Sequence, residues 1–349
     1  MAGHGGLGRR DVGRAGTVNQ RSLTPSMHSS TPGQGPADSV PASLGNLARN
    51  VILAAATNRH TRAFMSRYGM RLGASRFVAG ETLDECLAVL ARLNGRGLHA
   101  NTTLLGEDVD SREETVAVVA EYRTVLDRIA ERGLRANVAL KLTQLGLLID
   151  EELAFQNVSN VLDTAAEHGN FIRIDMEHSS VVDATLRIYR RLREAGRTNV
   201  GCVLQSYLYR TPTDLEGLLP LGPNLRLVKG AYLESPEIAY PRKADVDSAY
   251  RRLLERALSG GAYVAVATHD ERLIGDAITV TERRGYGRDR FEFQMLYGVR
   301  PQLQLDLVAR GFKVLVATPY GPEWYPYLMR RLAERPANLL FLVRNLVAR

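Results

Sequence analysis

The stretch FIRIDMEHSSVVDATLRIYRRLREAGRTNVGCVLQ, residues 171–205, decides the fold. It opens on a short apolar run, Phe171 to Asp175, and closes on another, Asn199 to Leu204, while Val182 to Glu194 between them carries apolar residues at helical spacing. Two short buried strands joined by a helix of that length make a parallel crossover, because an antiparallel hairpin needs only a few linking residues. The alternation continues in both directions. Strands are expected over Leu98–Leu104, Asn137–Leu142, Leu225–Val228, Tyr263–Ala267, Phe291–Gln294 and Val314–Ala317. Helices are expected over Glu81–Leu93, Glu113–Arg132, Glu151–Glu167, Asp245–Leu258, Arg272–Arg284, Pro301–Arg310 and Glu323–Arg335. Eight strands with helical crossovers predict an α/β fold, a closed parallel (β/α)8 barrel, with a doubly wound open sheet as the competitor.

Composition narrows the class. The 349 residues hold 45 Lys and Arg against 38 Asp and Glu, a formal charge of +7. Five Arg against two Asp up to Arg49 put a good part of that surplus in the first segment, and the rest is nearly balanced. With no basic run and no helix-turn-helix or RNP motif, nucleic-acid binding is not expected. The longest apolar runs, Val51–Ala56 and Leu339–Val343, fall far short of the roughly 18 residues a membrane span needs, so a soluble chain is expected. Two cysteines, Cys86 and Cys202, without C-x-x-C spacing fit a reducing, cytoplasmic setting and argue against a cysteine-built zinc site. Residues 1–45, with nine Gly, four Pro and six Ser, read as a disordered tail without the apolar stretch of a secretory signal. The barrel domain is then 46–349, opening with N-terminal helices over 47–93 that include an amphipathic stretch at Leu47–Tyr68.

Polar residues crowd the C-terminal ends of the expected strands: Lys141 with Thr143, Asp175 with Glu177 and His178, Gln205 with Tyr207, Lys229 with Tyr232, Thr268 with His269 and Asp270, and Gln294 with Tyr297. Any one alone reads as a cap or an inert ion pair, but six at one barrel mouth point to an active site. Several chemistries stay open on these residues. Asp175, His178 and His269 offer oxygen and nitrogen ligands to a metal, although no His-x-His pair follows the first strand. Lys229 after an apolar strand suits a Schiff-base aldolase. No P-loop is present, and no Gly-x-Gly-x-x-Gly follows a strand to open a helix, so a Rossmann dinucleotide site is not indicated. In the last helix Tyr327, Arg330, Arg331 and Glu334 are spaced by three, four and seven, which makes either a solvated face with an Arg/Glu pair or a clamp for a small carboxylate.

Seven segments taken together carry a family resemblance: Ala139-Leu-Lys-Leu-Thr-Gln-Leu-Gly146, Ile172-Arg-Ile-Asp-Met-Glu177, Val203-Leu-Gln-Ser-Tyr207, Arg226-Leu-Val-Lys-Gly-Ala-Tyr232, Ala267-Thr-His269, Glu292-Phe-Gln-Met-Leu-Tyr-Gly298, and Tyr327-Leu-Met-Arg-Arg-Leu-Ala-Glu-Arg-Pro-Ala-Asn338. In this order the chain resembles the bacterial monofunctional proline dehydrogenases, flavoenzymes with a distorted barrel and a last helix over its mouth. The resemblance implies FAD-dependent oxidation of L-proline to 1-pyrroline-5-carboxylate, the first step of proline catabolism, by hydride transfer from ring C5 to flavin N5. Electrons would pass to a quinone or membrane acceptor, with transient association at the inner membrane face, and a pyrroline-5-carboxylate dehydrogenase would take the product. By the same resemblance Arg330 and Arg331 clamp the substrate carboxylate, Lys141 and Glu334 complete that ion-pair network, and Asp175 and Tyr327 shape and polarise the pocket. Arg226 would lie near flavin N5. Met176, Gln205, Val228, Lys229, Gly230, Ala231, Tyr232, Thr268, His269 and Gln294, with Asp175, would surround the cofactor; Gly230 would serve by letting it approach the backbone. Two departures stand out. Ala317 occupies a place where many members carry Tyr, which opens the pocket to 4-hydroxyproline as an alternative substrate. Asp270 replaces the Asn of fused members; near phosphates a carboxylate would be unfavourable unless paired, so it is expected to turn to solvent instead.

Overall fold

The computed structural model describes Met70 and residues 73–106 and 109–334, with side chains as far as 329. The expected tail, 1–45, and the amphipathic stretch at 47–68 lie outside the described residues. The chain divides between Pro41 and Ala42, and every described residue belongs to the second unit, Ala42–Arg349.

Eight parallel strands close into a barrel in sequence order: β1 (His99–Leu104), β2 (Ala136–Leu140), β3 (Ile172–Ile174), β4 (Val200–Gln205), β5 (Asn224–Val228), β6 (Tyr263–Ala267), β7 (Phe291–Leu296) and β8 (Val314–Tyr320). The seam pairs β1 with β8 from His99 opposite Leu315 to Leu104 opposite Tyr320. Closure leaves no open edge, which rules out the doubly wound sheet. The last two strands run further than their apolar stretches, because Leu296 pairs with Ala317 beyond the polar residue Gln294.

The outer ring among the described residues comprises α1 (Leu83–Gly95), α2 (Arg112–Glu131), α3 (Glu151–Glu167), α4 (Val182–Glu194), α5 (Thr211–Leu218), α6 (Lys243–Ser259), α7 (Glu271–Arg284), α8 (Pro301–Ala309) and α9 (Trp324–Glu334). Several start at side-chain caps: Thr82 with Glu85 forms a capping box before α1, and Ser111, Asp150 and Asp270 cap α2, α3 and α7. Helix α5 departs from the sequence expectation. Its Pro212 sits in the first turn, where a missing N–H costs nothing, so the Thr-Pro pair starts a helix there.

The barrel interior is unusually polar. Carrying side-chain parity round the strand register aims Asn101, Asn137, Arg173, Asp175, Gln205, Asn224, Arg226, Glu292 and Gln294 inward, most of them from β1, β3, β5 and β7 or their ends. The intervening strands compensate with small residues, including Ala139, Gly201, Ala265 and Ala317. Gly201 shows why: a Cβ there would strike the Arg173 guanidinium and lie 2.5 Å from the Asn224 carbonyl oxygen. Arg173, 2% exposed, donates to the carbonyls of Cys202 (3.1 Å) and Asn224 (2.7 Å) and stacks over Phe171. Burial, reinforced by the Arg226 charge, pushes its pKa down to about 10, so it stays charged at neutral pH.

A smaller apolar cluster at one end joins Ala74, Phe77, Val78 and Leu105 to Trp324, Tyr325, Leu328 and Met329 of α9. The Trp324 indole N–H donates to Glu81 Oε1 at 2.6 Å and ties the helix to the segment that leads into α1. No helix of the described residues is long and apolar enough to cross a membrane.

Candidate active site

A cavity of about 1000 Å³ opens at the C-terminal ends of the strands, at the upper end of the size range for ligand sites. Its floor is an ion-pair network across the barrel. Arg226 donates through Nη1 to Asp175 Oδ1 (2.7 Å) and through Nη2 to Asn101 Oδ1 (2.6 Å), and Asn101 Nδ2 donates in turn to Asn137 Oδ1. The Arg226 Nε is buried without a hydrogen-bond partner. Gln205, on β4, donates Nε2 to the carbonyls of Met176 (3.4 Å) and Glu177 (3.2 Å), which leaves its Oε1 buried and unpartnered. Buried polar atoms are rarely left without a partner. Two of them on residues lining one cavity are what a polar ligand would satisfy.

The rim is cationic. Lys243 is the first residue of α6, Arg272 the second of α7 and Arg300 the N-cap of α8, and all three line the cavity with Arg76 and Lys229. A cation at a helix N-terminus opposes the helix dipole at about 0.3–1 kcal/mol each. Lys243 is paired with Asp247 and Asp270 and Arg300 with Glu271, but the six Lys and Arg of the lining against Asp175, Asp270 and Glu271 leave it net cationic, which suits an anionic ligand. Arg300 also adopts φ 51, unusual for a residue with a side chain, and reaches the His269 carbonyl (2.9 Å) and Glu271. His269 Nε2 accepts the Leu296 N–H at 2.9 Å, so in the neutral ring the proton resides on Nδ1.

Lys229 is held between Asp247 Oδ1 (2.5 Å) and Asp270 Oδ2 (3.1 Å), and Lys243 bridges the same two carboxylates. Asp270 therefore corrects the expectation that it turns to solvent. It is paired, it caps α7, and its side chain is 22% exposed. Partial burial acts to raise its pKa, but the hydrogen bond and charge of Lys229 override this and bring it down to about 2. A lysine locked between two carboxylates is also the reverse of the desolvated amine a Schiff-base mechanism requires. Gly230 (φ 116) has a more immediate reason than cofactor approach, since a Cβ there would run into the Tyr207 ring.

Asp175, Met176, Gln205, Arg226, Val228, Lys229, Gly230, Ala231, Tyr232, Thr268, His269, Gln294, Ala317 and Tyr327 all line this one cavity. Lys141 does not. Its ammonium approaches the Gly106 carbonyl at 3.4 Å, outside the lining. Arg330, Arg331 and Glu334 belong to α9, but their side chains lie outside the described residues. Glu177 is withdrawn from the mouth, bonding the Thr143 backbone N–H (3.2 Å) and hydroxyl (2.6 Å). Among the described residues no group of His, Cys, Asp or Glu is arranged to hold a metal ion, so Asp175, His178 and His269 do not assemble as ligands. Both cysteines are buried, with thiols pushed up to about 12 chiefly by desolvation. Sequence reading missed Asn101, Asn137, Arg76, Lys243, Arg272 and Arg300. For the last three the available signal was a basic residue at a helix start.

The family model described as proline dehydrogenase matches residues 86–344. Proline dehydrogenase 1 of Bacillus subtilis strain 168 is 40% identical over 299 residues, covering 86% of this chain and 99% of that protein. The proline dehydrogenase of Deinococcus radiodurans is 44% identical over 278 residues, 78% of this chain and 90% of that one. The bifunctional protein PutA of Escherichia coli K12 is 27% identical over 321 residues, yet the match takes in 24% of its length. Among solved structures, proline utilization A from Bdellovibrio bacteriovorus, inactivated by N-propargylglycine, superposes with a TM-score of 0.73 at 24% identity. That match covers 82% of this chain and about a third (36%) of the solved one, and carries the fold alone.

Proposed function

The chain belongs to the proline dehydrogenase family, an oxidoreductase family acting on proline, and from that premise we propose that it works with FAD seated in the barrel-mouth cavity and converts L-proline to 1-pyrroline-5-carboxylate. The observation that carries the cofactor reading is the pair of buried, unpartnered atoms on lining residues, Arg226 Nε and Gln205 Oε1, beneath a rim of cations suited to a pyrophosphate. When bound, the flavin supplies a hydride acceptor for the ring carbon next to the proline nitrogen.

The chain's own residues bind, orient and exclude water. Arg226, braced by Asp175 and Asn101, presents a fixed guanidinium at the floor. Val228, Gly230, Ala231, Thr268, His269 and Gln294 wall the cofactor space, with Lys229 pinned to Asp247 and Asp270 beside them. Tyr327 closes the cavity from α9. Arg330 and Arg331 hold the substrate carboxylate by two-pronged hydrogen bonds, with Glu334 completing the charge balance. Anchoring the carboxylate fixes which ring face meets the cofactor. The amine must arrive unprotonated, since its lone pair assists departure of the hydride. Electrons then leave to a quinone or another membrane acceptor, with a cytoplasmic enzyme touching the inner membrane face, and a pyrroline-5-carboxylate dehydrogenase consumes the product.

A second substrate reading rests on Ala317, whose methyl side chain lines the cavity and leaves room for the hydroxyl of 4-hydroxyproline. Anaerobic titration of the purified protein with proline and 4-hydroxyproline, side by side, tests both. Bleaching of the flavin bands by proline is expected, and stronger bleaching by hydroxyproline selects the second reading. A colourless protein that gains no flavin absorbance on adding FAD overturns the cofactor reading.

A further inference from the structure

Below the cavity floor, β7 carries a buried carboxylate that does not line the cavity. Glu292 is 3% exposed. Its Oε2 accepts the Tyr263 hydroxyl (2.8 Å) and pairs with Lys313 Nζ (2.8 Å) at the base of the barrel, while its Oε1 accepts Gln294 Nε2 (2.5 Å). All three partners are donors, as an ionised carboxylate requires. Burial acts to raise its pKa, yet Lys313 together with these hydrogen bonds outweighs burial and holds it below the ordinary glutamate value.

The consequence falls on Gln294, two residues along the strand, 4% exposed and part of the cavity lining. An amide has one donating and one accepting end. With its NH2 claimed by Glu292, the accepting Oε1 is the end left for the cavity. Gln205 across the barrel is oriented in the same sense, its NH2 spent on two carbonyls and its Oε1 unpartnered. We propose that Glu292 is a positioning residue: anchored by Lys313 and Tyr263, it locks the Gln294 amide with its oxygen toward the cavity, so that the bound group must offer a hydrogen-bond donor there. This rests on the FAD reading above, in which the flavin ring N–H and the ribityl hydroxyls are the donors available.

The test is a double-mutant cycle on the full-length holoenzyme. The readouts are FAD release on dilution, followed by recovery of flavin fluorescence, and the visible absorption bands of the bound flavin. Glu292→Gln removes the fixed charge and lets the Gln294 amide turn round; it should weaken FAD binding about tenfold and shift the bands. In a Gln294→Leu background the same substitution should cost less than twofold, because the amide it acts through is gone. A merely structural role gives the same loss in both backgrounds, and that result, or unchanged affinity in the single variant, overturns the inference. If Glu292→Gln does not fold, Tyr263→Phe decides by the same criterion, since it removes one anchor and keeps the ring. A wild-type protein that shows no flavin bands with FAD overturns the inference and the cofactor reading together, whereas normal wild-type binding with an additive cycle overturns the inference alone.

Discussion

At the residue scale the tightest electrostatic unit is the square of Lys229, Lys243, Asp247 and Asp270. Asp270→Asn separates its two roles, because Asn caps a helix as well as Asp does, so what is lost is the charge. The folded carboxyl titrates near 2 against 3.8 for the free acid. Its contribution is therefore complete above about pH 4 and disappears as the pH falls toward 2. The variant should be less stable by about 1–2 kcal/mol at pH 7, and the gap between the two urea midpoints should close over that acid window; a gap that ignores pH contradicts the pairing. Gly230→Ala tests geometry in place of charge. It needs φ 116 and collides with Tyr207, so a loss of about 2–4 kcal/mol is expected in thermal or urea unfolding. Trimming Tyr207 to Leu in the same chain should recover part of it. Strand-end residues such as Gln205 and Lys229 were legible because a barrel mouth collects them by construction. Asn101 was not: it sits mid-strand, and only the register that faces it toward Arg226 gives it meaning.

At the scale of elements, α9 brings Tyr327 to the cavity, on the side where the proposed reading seats the substrate. Trp324 is 1% exposed and makes its indole hydrogen bond to Glu81, while Tyr327, three residues on, lines the cavity. Trp324→Phe keeps most of the apolar contact and deletes that bond. It should cost about 1–2 kcal/mol, and by loosening the helix it should raise the KM for proline while the flavin spectrum stays as it was. Arg330→Met and Arg331→Met, three and four residues beyond Tyr327, should raise KM more, by roughly ten- to a hundredfold for loss of a charge-assisted carboxylate contact at about 1.5–3 kcal/mol. Parallel loss of flavin from either variant would assign these arginines to the cofactor. Most helices were legible from apolar spacing and caps, whereas α5 was missed because a short helix opening Thr211-Pro reads locally as a turn.

At the scale of the whole molecule, the barrel was legible because strands buried on both faces read as short apolar runs between amphipathic ones. Its polar interior was not, since inward and outward positions alternate and only closure decides which is which. On the proposed cofactor reading, that interior also couples stability to the ligand. Arg226 Nε and Gln205 Oε1 lack partners in the protein alone, and the strands that carry them, β4 and β5, pair directly. A cofactor that satisfies them binds the folded chain and not the unfolded one, so it must stabilise the barrel by mass action. At a free FAD concentration of about 100 times Kd the gain is roughly 2.7 kcal/mol, and for a barrel of this size each kcal/mol moves the midpoint by about 2–4 °C. Thermal melts of flavin-stripped protein should thus rise by about 5–10 °C on adding FAD. Arg226→Met, which removes one orphan atom and the guanidinium that braces Asp175, should shrink that rise; an unchanged rise would remove Arg226 from the binding site.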